Sequence, residues 1–584
     1  MSAADAVARF LSTVEVTERP EAWIHVVPAA ELVAEAAEVD AAVAAGADLP
    51  LAGRLVAVKD NIDVAGCSTT AAAPTYSFVP VGDAPAVARL RAAGAIVVGK
   101  TNLDQFATGL VGTRSPHGAV RHATDATRIS GGSSSGSAVA VALGLVDLSL
   151  GTDTAGSGRV PAALHGLWGL KPTRGLVPTT GVVPACASLD CVTVFSADPE
   201  LAATAIAVMS GPDLGDPLSR RPRAGVPLAS SARRRLIVPT AVDLGDLAPG
   251  WAEAFDRVVV AAGAAGIDVV ERSIAPLLDA ARMLYESSFV AERYAAVGAH
   301  IEVHRDEIGE SLDPTVAGII LAGGGRTAPE LFADQRALEA YRAAAAELLA
   351  DAAAVLTPTT TWHPTLAQVA ADPVGANSRM GRFTNFANLL DMAAVALPAG
   401  RAGEDAFGAM LTGHAFSDGR LLALARRIAN AVEPGERAVS AAAPHEDPAE
   451  ADELDVFVVG AHREGQPLHH QLAGRGARLV GRVRTAPVYQ MYALATVPPK
   501  PGLLRSASDG GAILGEVWRL PAAGFGAFVD EIPAPMAIGN VALEDGRVVN
   551  GFVCEAHATD GAVDITASGD WLAWLRSQSG ETHP

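Results

Sequence analysis

Residues 128–146, RISGGSSSGSAVAVALGLV, and residues 150–175, LGTDTAGSGRVPAALHGLWGLKPTRG, set two glycine-flanked serines, Ser133 and Ser157, 24 residues apart. A neutral serine is a weak nucleophile and needs a neighbouring base. No histidine lies inside or beside either serine-bearing turn. The candidate base is Lys59, 74 residues before Ser133 in VAVKDNID (56–63). A lysine kept neutral by burial draws a proton through one serine from the other, and the apolar LVAV run ahead of Lys59 suits such burial. Gly131 and Gly132 let the backbone bring Ser133 close to other segments without a Cβ clash. The run Thr154-Ala155-Gly156-Ser157 aims successive N–H groups at one point, the makings of an oxyanion hole. Asp153 and Arg159 flank the nucleophile and read as a structural ion pair or hydrogen-bonding frame.

Outward from these turns, helical and strand patterns alternate. Residues 31–46 read as an amphipathic helix, and RLVAVKD (54–60) as a buried strand delivering Lys59 at its end. A helix at 84–94 and a strand at 95–100 follow, then a helix at 135–146 and a strand at 147–153. Strands at 233–240, 267–272, 352–360 and 392–400 and helices at 251–266 and 420–432 continue the pattern. This alternation predicts an α/β domain around a largely parallel or mixed sheet. The stretch EPGERAVSAAAPHEDPAEADE is acidic, Ala/Pro-rich and without periodicity, which suits a linker. Beyond it come short strand-like runs separated by glycine and proline, with a turn signal at EDG (544–546). The expected division is 1–435, a linker at 436–452, and a smaller, mostly β domain at 453–584.

Composition bounds the function. At 584 residues the chain should hold more than one domain, and 49% hydrophobic with 19% charged residues is a globular balance. A formal charge of −21, from 44 basic and 65 acidic residues, argues against nucleic acid or an anionic membrane as partner. No signal peptide and no bilayer-spanning run is evident. Cys67, Cys186, Cys191 and Cys554 lack metal-site or redox spacing and read as reduced thiols of a cytoplasmic protein.

The three motifs together resemble the amidase signature family, over roughly residues 25 to 430. The resemblance implies a mixed β-sheet core flanked by helices. It also implies a triad of Lys59, Ser133 (the cis-serine bridge) and Ser157 (the nucleophile), with the oxyanion hole at Thr154, Ala155 and Gly156. Further features are similar to its allophanate hydrolase subgroup: Ser135 and Ala155, where many relatives carry glycine, and RMLYESSFVAERYAAV (282–297). There Tyr285 and Arg293 match a pair that binds the substrate carboxylate. An arginine fork suits a planar carboxylate, and a tyrosine hydroxyl adds a donor. Eight helical residues rise about 12 Å, so the two side chains must lean together or the helix must break between them. The loop FATGLVGTRSPHG (106–118) also resembles that subgroup and implies a pocket lined by Gly112 and Thr113, with Gly131 nearby.

The resemblance implies hydrolysis of allophanate with no cofactor or metal. Ser157 attacks the terminal carbamoyl carbon, ammonia leaves, and water releases N-carboxycarbamate, which loses carbon dioxide. The segments 456–479 and 515–546 resemble the subgroup's C-terminal domain, similar in fold to γ-glutamylcyclotransferase-like domains. Its role is open between decarboxylation, with His462 ahead of His469 and His470 as base, and scaffolding. A homodimer is implied, with urea carboxylase or other pathway enzymes as partners. Other amidase-signature enzymes, an amidotransferase subunit or an assembly component of a urea- or cyanurate-degrading complex are the competing readings.

Overall fold

The computed structural model describes residues 2–579 apart from 16, 221–234, 433–452, 474, 476, 497, 498 and 507. The expected linker at 436–452 lies outside the described residues. Two compact units are present, one carrying the residues before that stretch and one carrying Glu453 onward.

Among the described residues of the first unit, eleven strands form one sheet. They are β1 (Trp23–Val26), β2 (Leu55–Lys59), β3 (Ile96–Thr101), β4 (Leu148–Asp153), β5 (Trp168–Lys171), β6 (Cys191–Ser196), β7 (Arg235–Pro239), β8 (Asp268–Arg272), β9 (Ala354–Pro358), β10 (Met392–Ala402) and β11 (Asp405–His414). Their order is β1-β3-β2-β4-β6-β5-β10-β11-β9-β7-β8. The sheet is mixed: β3, β2 and β4 run parallel, β6 and β5 turn antiparallel, and β9, β7 and β8 are parallel again. β2, β3, β4 and β6 are buried along their whole length, as unalternating apolar runs require when both faces of a sheet are covered.

The alternating expectation locates most of these elements but leaves out β1, β5, β6 and β11. The helix expected at 135–146 ends at Ala142, and the one expected at 84–94 spans Pro85–Ala92. Tyr285 and Arg293 lie on different helices. Ala275–Glu286 stops at Ser287, a 3-10 turn spans Ser288–Val290, and a new helix runs from Ala291 to Val303.

In the second unit, β12 (Glu453–Val458), β13 (Arg478–Arg484), β16 (Leu514–Pro521), β17 (Met536–Ala542) and β18 (Val548–Cys554) form a five-stranded sheet. β14 (Tyr489–Leu494), β15 (Lys500–Arg505) and the two-residue β19 (Val563–Asp564) form a three-stranded one. The EDG signal is the β17–β18 hairpin turn: Leu543 N–H donates to the Arg547 carbonyl at 2.8 Å, and Gly546 takes a φ of 87°. Helices at His469–Ala473, Ala522–Asp530 and Trp571–Ser579 complete this β-rich unit.

Candidate active site

β2 ends at Lys59, and β4, its parallel neighbour, carries Thr152 near its own end. The Lys59 amine therefore meets two hydroxyls, Ser133 Oγ at 2.8 Å and Thr152 Oγ1 at 2.7 Å. Asn61 Nδ2 donates to the same Thr152 oxygen at 3.3 Å. With two N–H donors aimed at it, Thr152 keeps an amine hydrogen on its own side and leaves the nitrogen lone pair of a neutral Lys59 for Ser133. Lys59 is fully buried, and burial pushes its amine from 10.5 down to about 7, against the opposing pull of Asp104, Asp190 and Asp153.

Ser133 enters through a cis Gly132–Ser133 peptide, and its carbonyl accepts Asp104 N–H at 3.1 Å. A side chain on Gly132 would run into the Asp104 carboxylate, so only glycine admits this approach. Asp104 in turn accepts N–H groups from Val111, Gly112 and Arg114 at 3.2, 3.0 and 3.0 Å, pinning the 106–118 loop beside Ser133.

Ser157 sits in the turn after β4, 2% exposed, and its hydroxyl donates to the Gly109 carbonyl at a long 3.5 Å. Among the described hydrogen bonds none joins Ser157 to Ser133. The Asp153 carboxylate ties the turn down, accepting Gly156 N–H at 2.9 Å and Gly158 N–H at 3.0 Å. Of the expected oxyanion donors, the Gly156 N–H is therefore engaged by Asp153. Among the described hydrogen bonds, the N–H groups of Thr154, Ala155 and Ser157 have no acceptor and are the donors left for an oxyanion.

Asp153 and Arg159 form a fully buried two-point pair, Nε to Oδ2 at 2.9 Å and Nη2 to Oδ1 at 2.8 Å. Burial alone would raise the Asp153 carboxyl, but the adjacent guanidinium holds it below the usual carboxylate range. Arg159 also donates to the Thr384 carbonyl and to Asn388 Oδ1, both at 3.0 Å. The pair is a frame for the Ser157 turn.

The helix break brings Tyr285 and Arg293 together. Arg293 Nη2 lies 3.3 Å from the Tyr285 hydroxyl, and the guanidinium carbon sits 5.2 Å from that ring's centre. Arg293 is 1% exposed, its Nη1 donates to Thr108 Oγ1 at 3.0 Å, and its Nε is buried with no partner among the described residues. Thr108 and Gly109 are chain neighbours, so one peptide unit links the Arg293 contact to the Ser157 contact.

Gly112 and Gly131 shape this region; among the described hydrogen bonds the Gly112 N–H has an acceptor and the Gly131 N–H has none. Gly112 donates its N–H to Asp104 and accepts Val120 N–H at 2.9 Å, and Gly131 packs against Pro161 and Leu164. Thr113 is half-buried. Thr152, Asn61, Asp104 and Thr108 are the site residues that sequence reading missed. A carboxylate in the NLDQF stretch and a threonine one residue inside the strand end were the available signals.

In the second unit, the His462 ring stacks on Phe552 at 5.0 Å, meets Phe528 edge-on at 5.1 Å, and its Nε2 lies 2.8 Å from Gln471 Oε1. Burial lowers its pKa below the ordinary value, which keeps the imidazole neutral. His469 lies against Trp518 at 4.9 Å, and His470 is exposed with Nδ1 donating to the Pro467 carbonyl at 2.8 Å.

A mixed sheet carrying a buried lysine, a cis-peptide serine and a serine on a carboxylate-tied turn defines an amidase-type serine hydrolase. The Amidase family model matches residues 5–422, and the Allophanate hydrolase C-terminal domain model matches residues 454–576. The chain belongs to the amidase family, in its allophanate hydrolase branch. The solved structure of Kluyveromyces lactis allophanate hydrolase is similar with a TM-score of 0.74 at 39% identity, covering 99% of this chain and 97% of that one. Urea amidolyase of Saccharomyces cerevisiae is 41% identical over 552 residues, 90% of this chain and 30% of that protein. The chain thus spans 30% of the curated urea amidolyases that it matches. A glutamyl-tRNA(Gln) amidotransferase subunit of Symbiobacterium thermophilum is 34% identical over 415 residues, 64% of this chain and 82% of that one.

Proposed function

We propose that the protein hydrolyses allophanate through a Lys59–Ser133–Ser157 relay. The observation that carries this reading is two sets of contacts, one at Lys59 and Ser133 and one running from Ser157 through Gly109 and Thr108 to Arg293. A buried, neutral-leaning Lys59 is bonded to Ser133, Ser157 touches Gly109, and the adjoining Thr108 touches an Arg293 guanidinium paired with Tyr285. Lys59 takes the Ser133 proton as Ser133 takes that of Ser157, and Ser157 Oγ bonds to the terminal carbamoyl carbon. The resulting oxyanion faces the N–H groups of Thr154 and Ala155. Collapse returns the proton through the relay to the departing nitrogen, and ammonia leaves. Water, deprotonated along the same path, cleaves the acyl-enzyme to N-carboxycarbamate and free Ser157. Arg293 and Tyr285 hold the distal carboxylate, and urea offers no such anion.

N-carboxycarbamate then loses carbon dioxide. The C-terminal unit either speeds that step, with His462 as the base that takes the carboxyl proton and passes it to the nitrogen as carbon dioxide departs, or serves assembly. The likeness to urea amidolyases supports a urea-carboxylating enzyme as the supplier of substrate, and we assign a cytoplasmic homodimer. Among the described residues no helix is long and apolar enough to cross a membrane, and all four cysteines are free and buried.

The test is ammonia and carbon dioxide release from allophanate, malonamate, biuret and urea. Turnover of the two carboxylate-bearing amides over the neutral ones, abolished in Ser157→Ala, is expected. Equal turnover of urea and allophanate would overturn the assignment. His462→Ala in the full chain slows carbon dioxide but not the first ammonia if the unit is catalytic, and changes neither if it is a scaffold.

A further inference from the structure

The turn at residues 185–190 grips both ends of the site. Asp153 on β4 pairs with Cys191 on β6, so Thr154 and Asp190 leave the paired strand ends side by side. The Thr154 hydroxyl donates to Asp190 Oδ1, and Asp190 Oδ2 accepts Ala185 N–H at 2.9 Å and Cys186 N–H at 3.2 Å. At the far end of the same turn, Ser188 donates both its N–H and its hydroxyl to the Glu292 carboxylate, each at 2.7 Å. Glu292 immediately precedes Arg293 in the first turn of its helix, where a negative charge is favourable. The turn between these grips is closed on itself: the Cys186 carbonyl accepts N–H groups from Leu189 at 2.8 Å and Asp190 at 2.9 Å. Arg174 Nη1 fixes it from outside through the Ser188 carbonyl at 2.5 Å.

We propose that this turn is a brace that sets the span between the oxyanion donors and Arg293, with Asp190 and Glu292 as positioning residues selecting the length of anionic amide accepted. The inference rests on the reading of Arg293 as the carboxylate anchor. Both grips are charge-assisted and therefore strong and short. An error of about 1 Å in placing reacting groups costs on the order of a hundredfold in rate. Malonamate matches allophanate in the separation of amide carbon and carboxylate, and succinamate is one methylene longer, so their ratio reads the span directly.

The experiment measures kcat and KM on both substrates for the full-length wild type, Ser188→Ala, Glu292→Gln, the double variant and Asp190→Asn. Ser188→Ala and Glu292→Gln should each lower the malonamate-to-succinamate ratio of kcat/KM by roughly tenfold, chiefly through the malonamate KM, since the first removes the hydroxyl bond and the second the charge behind both bonds. The double variant should be no worse than the more damaging single one, because the two changes remove the same contact. Asp190→Asn should lower kcat on both substrates. A merely structural turn would depress both substrates alike in the Ser188 and Glu292 variants, and that outcome overturns the brace, as does an unchanged ratio. Ser188→Ala removes a single hydroxyl, so the test does not hang on a disruptive substitution. Failure of the underlying reading looks different: the wild type would show no preference for malonamate over neutral malonamide.

Discussion

Lys59 Nζ stands 2.8 Å from Ser133 Oγ with neither side chain exposed to water. An ammonium in that position would be desolvated, with two hydroxyls beside it and three carboxylates at a distance too little to compensate, so the amine gives up its proton near pH 7 and not near 10.5. Activity should follow the neutral amine: kcat/KM rises through pH 6–8 about an apparent pKa of 7 and is lost as pH falls. A pH–rate profile checks this. Lys59→Arg, whose guanidinium stays charged, should leave no activity at any pH below 10.

The same shift bears on stability. The unfolded lysine titrates near 10.5 and the folded one near 7, so between these values the unfolded chain binds more protons and stability climbs with pH. Below pH 7 both states are protonated and the full burial cost stands. Lys59→Met should therefore unfold at a higher temperature than the wild type at pH 7, with the gap narrowing toward pH 10. Thermal melts at the two pH values decide it.

Ser157→Ala should abolish turnover, and Ser133→Ala should leave at most a trace while the protein still folds. Among the described hydrogen bonds, Ser133 touches Lys59 and the Asp104 N–H, and Ser157 makes a long contact to Gly109. Burst and steady-state ammonia release, beside circular dichroism, separates loss of chemistry from loss of fold.

Arg293→Ala should raise KM for a carboxylate-bearing amide by about a hundredfold and change kcat less, in line with loss of a buried charge-assisted contact. Arg293→Lys should restore little, because a point charge reproduces neither the fork that reaches Thr108 and Tyr285 nor its flat face. Tyr285→Phe keeps the ring under the guanidinium and should cost about tenfold or less. Steady-state kinetics on malonamate checks the order.

Much of this site is legible in the chain because its parts are local. A strand ending at Lys59 and two glycine-flanked serines are sequence-contiguous signals, and the Tyr285–Arg293 spacing itself poses the choice that the break at Ser287 resolves. What is illegible depends on pairing at a distance. Nothing in the chain says that β4 pairs antiparallel with β6 rather than with another parallel strand, yet that pairing sets Thr154 against Asp190. Gly156 reads as a free donor until the Asp153 carboxylate, held from behind by Arg159, folds back onto it. β5 and β6 escape detection for the same reason: the irregular stretch 172–190 lies between them, and only their neighbours make them strands.

The Asp153–Arg159 pair predicts a large effect without chemistry. Removing one member leaves the other charge buried and uncompensated, which typically costs about 3–5 kcal/mol. Asp153→Asn should thus lower the urea midpoint and loosen the Ser157 turn, because an amide keeps one acceptor oxygen where the carboxylate offers two, one to Gly156 and one to Gly158.

A second buried cluster predicts acid sensitivity. His122 stacks on His165 at 4.2 Å and meets His363 edge-on at 5.1 Å, beneath the helix Val160–Leu164 that follows the Ser157 turn. His122 Nε2 donates to the Leu164 carbonyl at 3.0 Å while Nδ1 accepts N–H groups from Thr124 and Asp125 at 3.4 and 3.3 Å. His165 Nδ1 donates to the Pro161 carbonyl at 2.9 Å and Nε2 accepts Ala123 N–H at 3.3 Å. Each ring is thus one donor and one acceptor, and a second proton breaks the accepting bond. Burial, with the neighbouring ring, pushes His122 down to about 4 and His165 well below 6.5. Facing charges are Asp125, Arg128 and Asp405; Arg128 lies 2.9 Å from Asp405 and 3.6 Å from Asp125. Between pH 6.5 and 4 the unfolded chain binds the extra protons, so stability falls as pH falls, by roughly 3 kcal/mol from His122 alone. His122→Gln keeps a donor and an acceptor but does not titrate. Its urea midpoint should drop less than that of the wild type between pH 7 and pH 4.5, and parallel declines in the two proteins would show that the cluster carries none of the acid sensitivity.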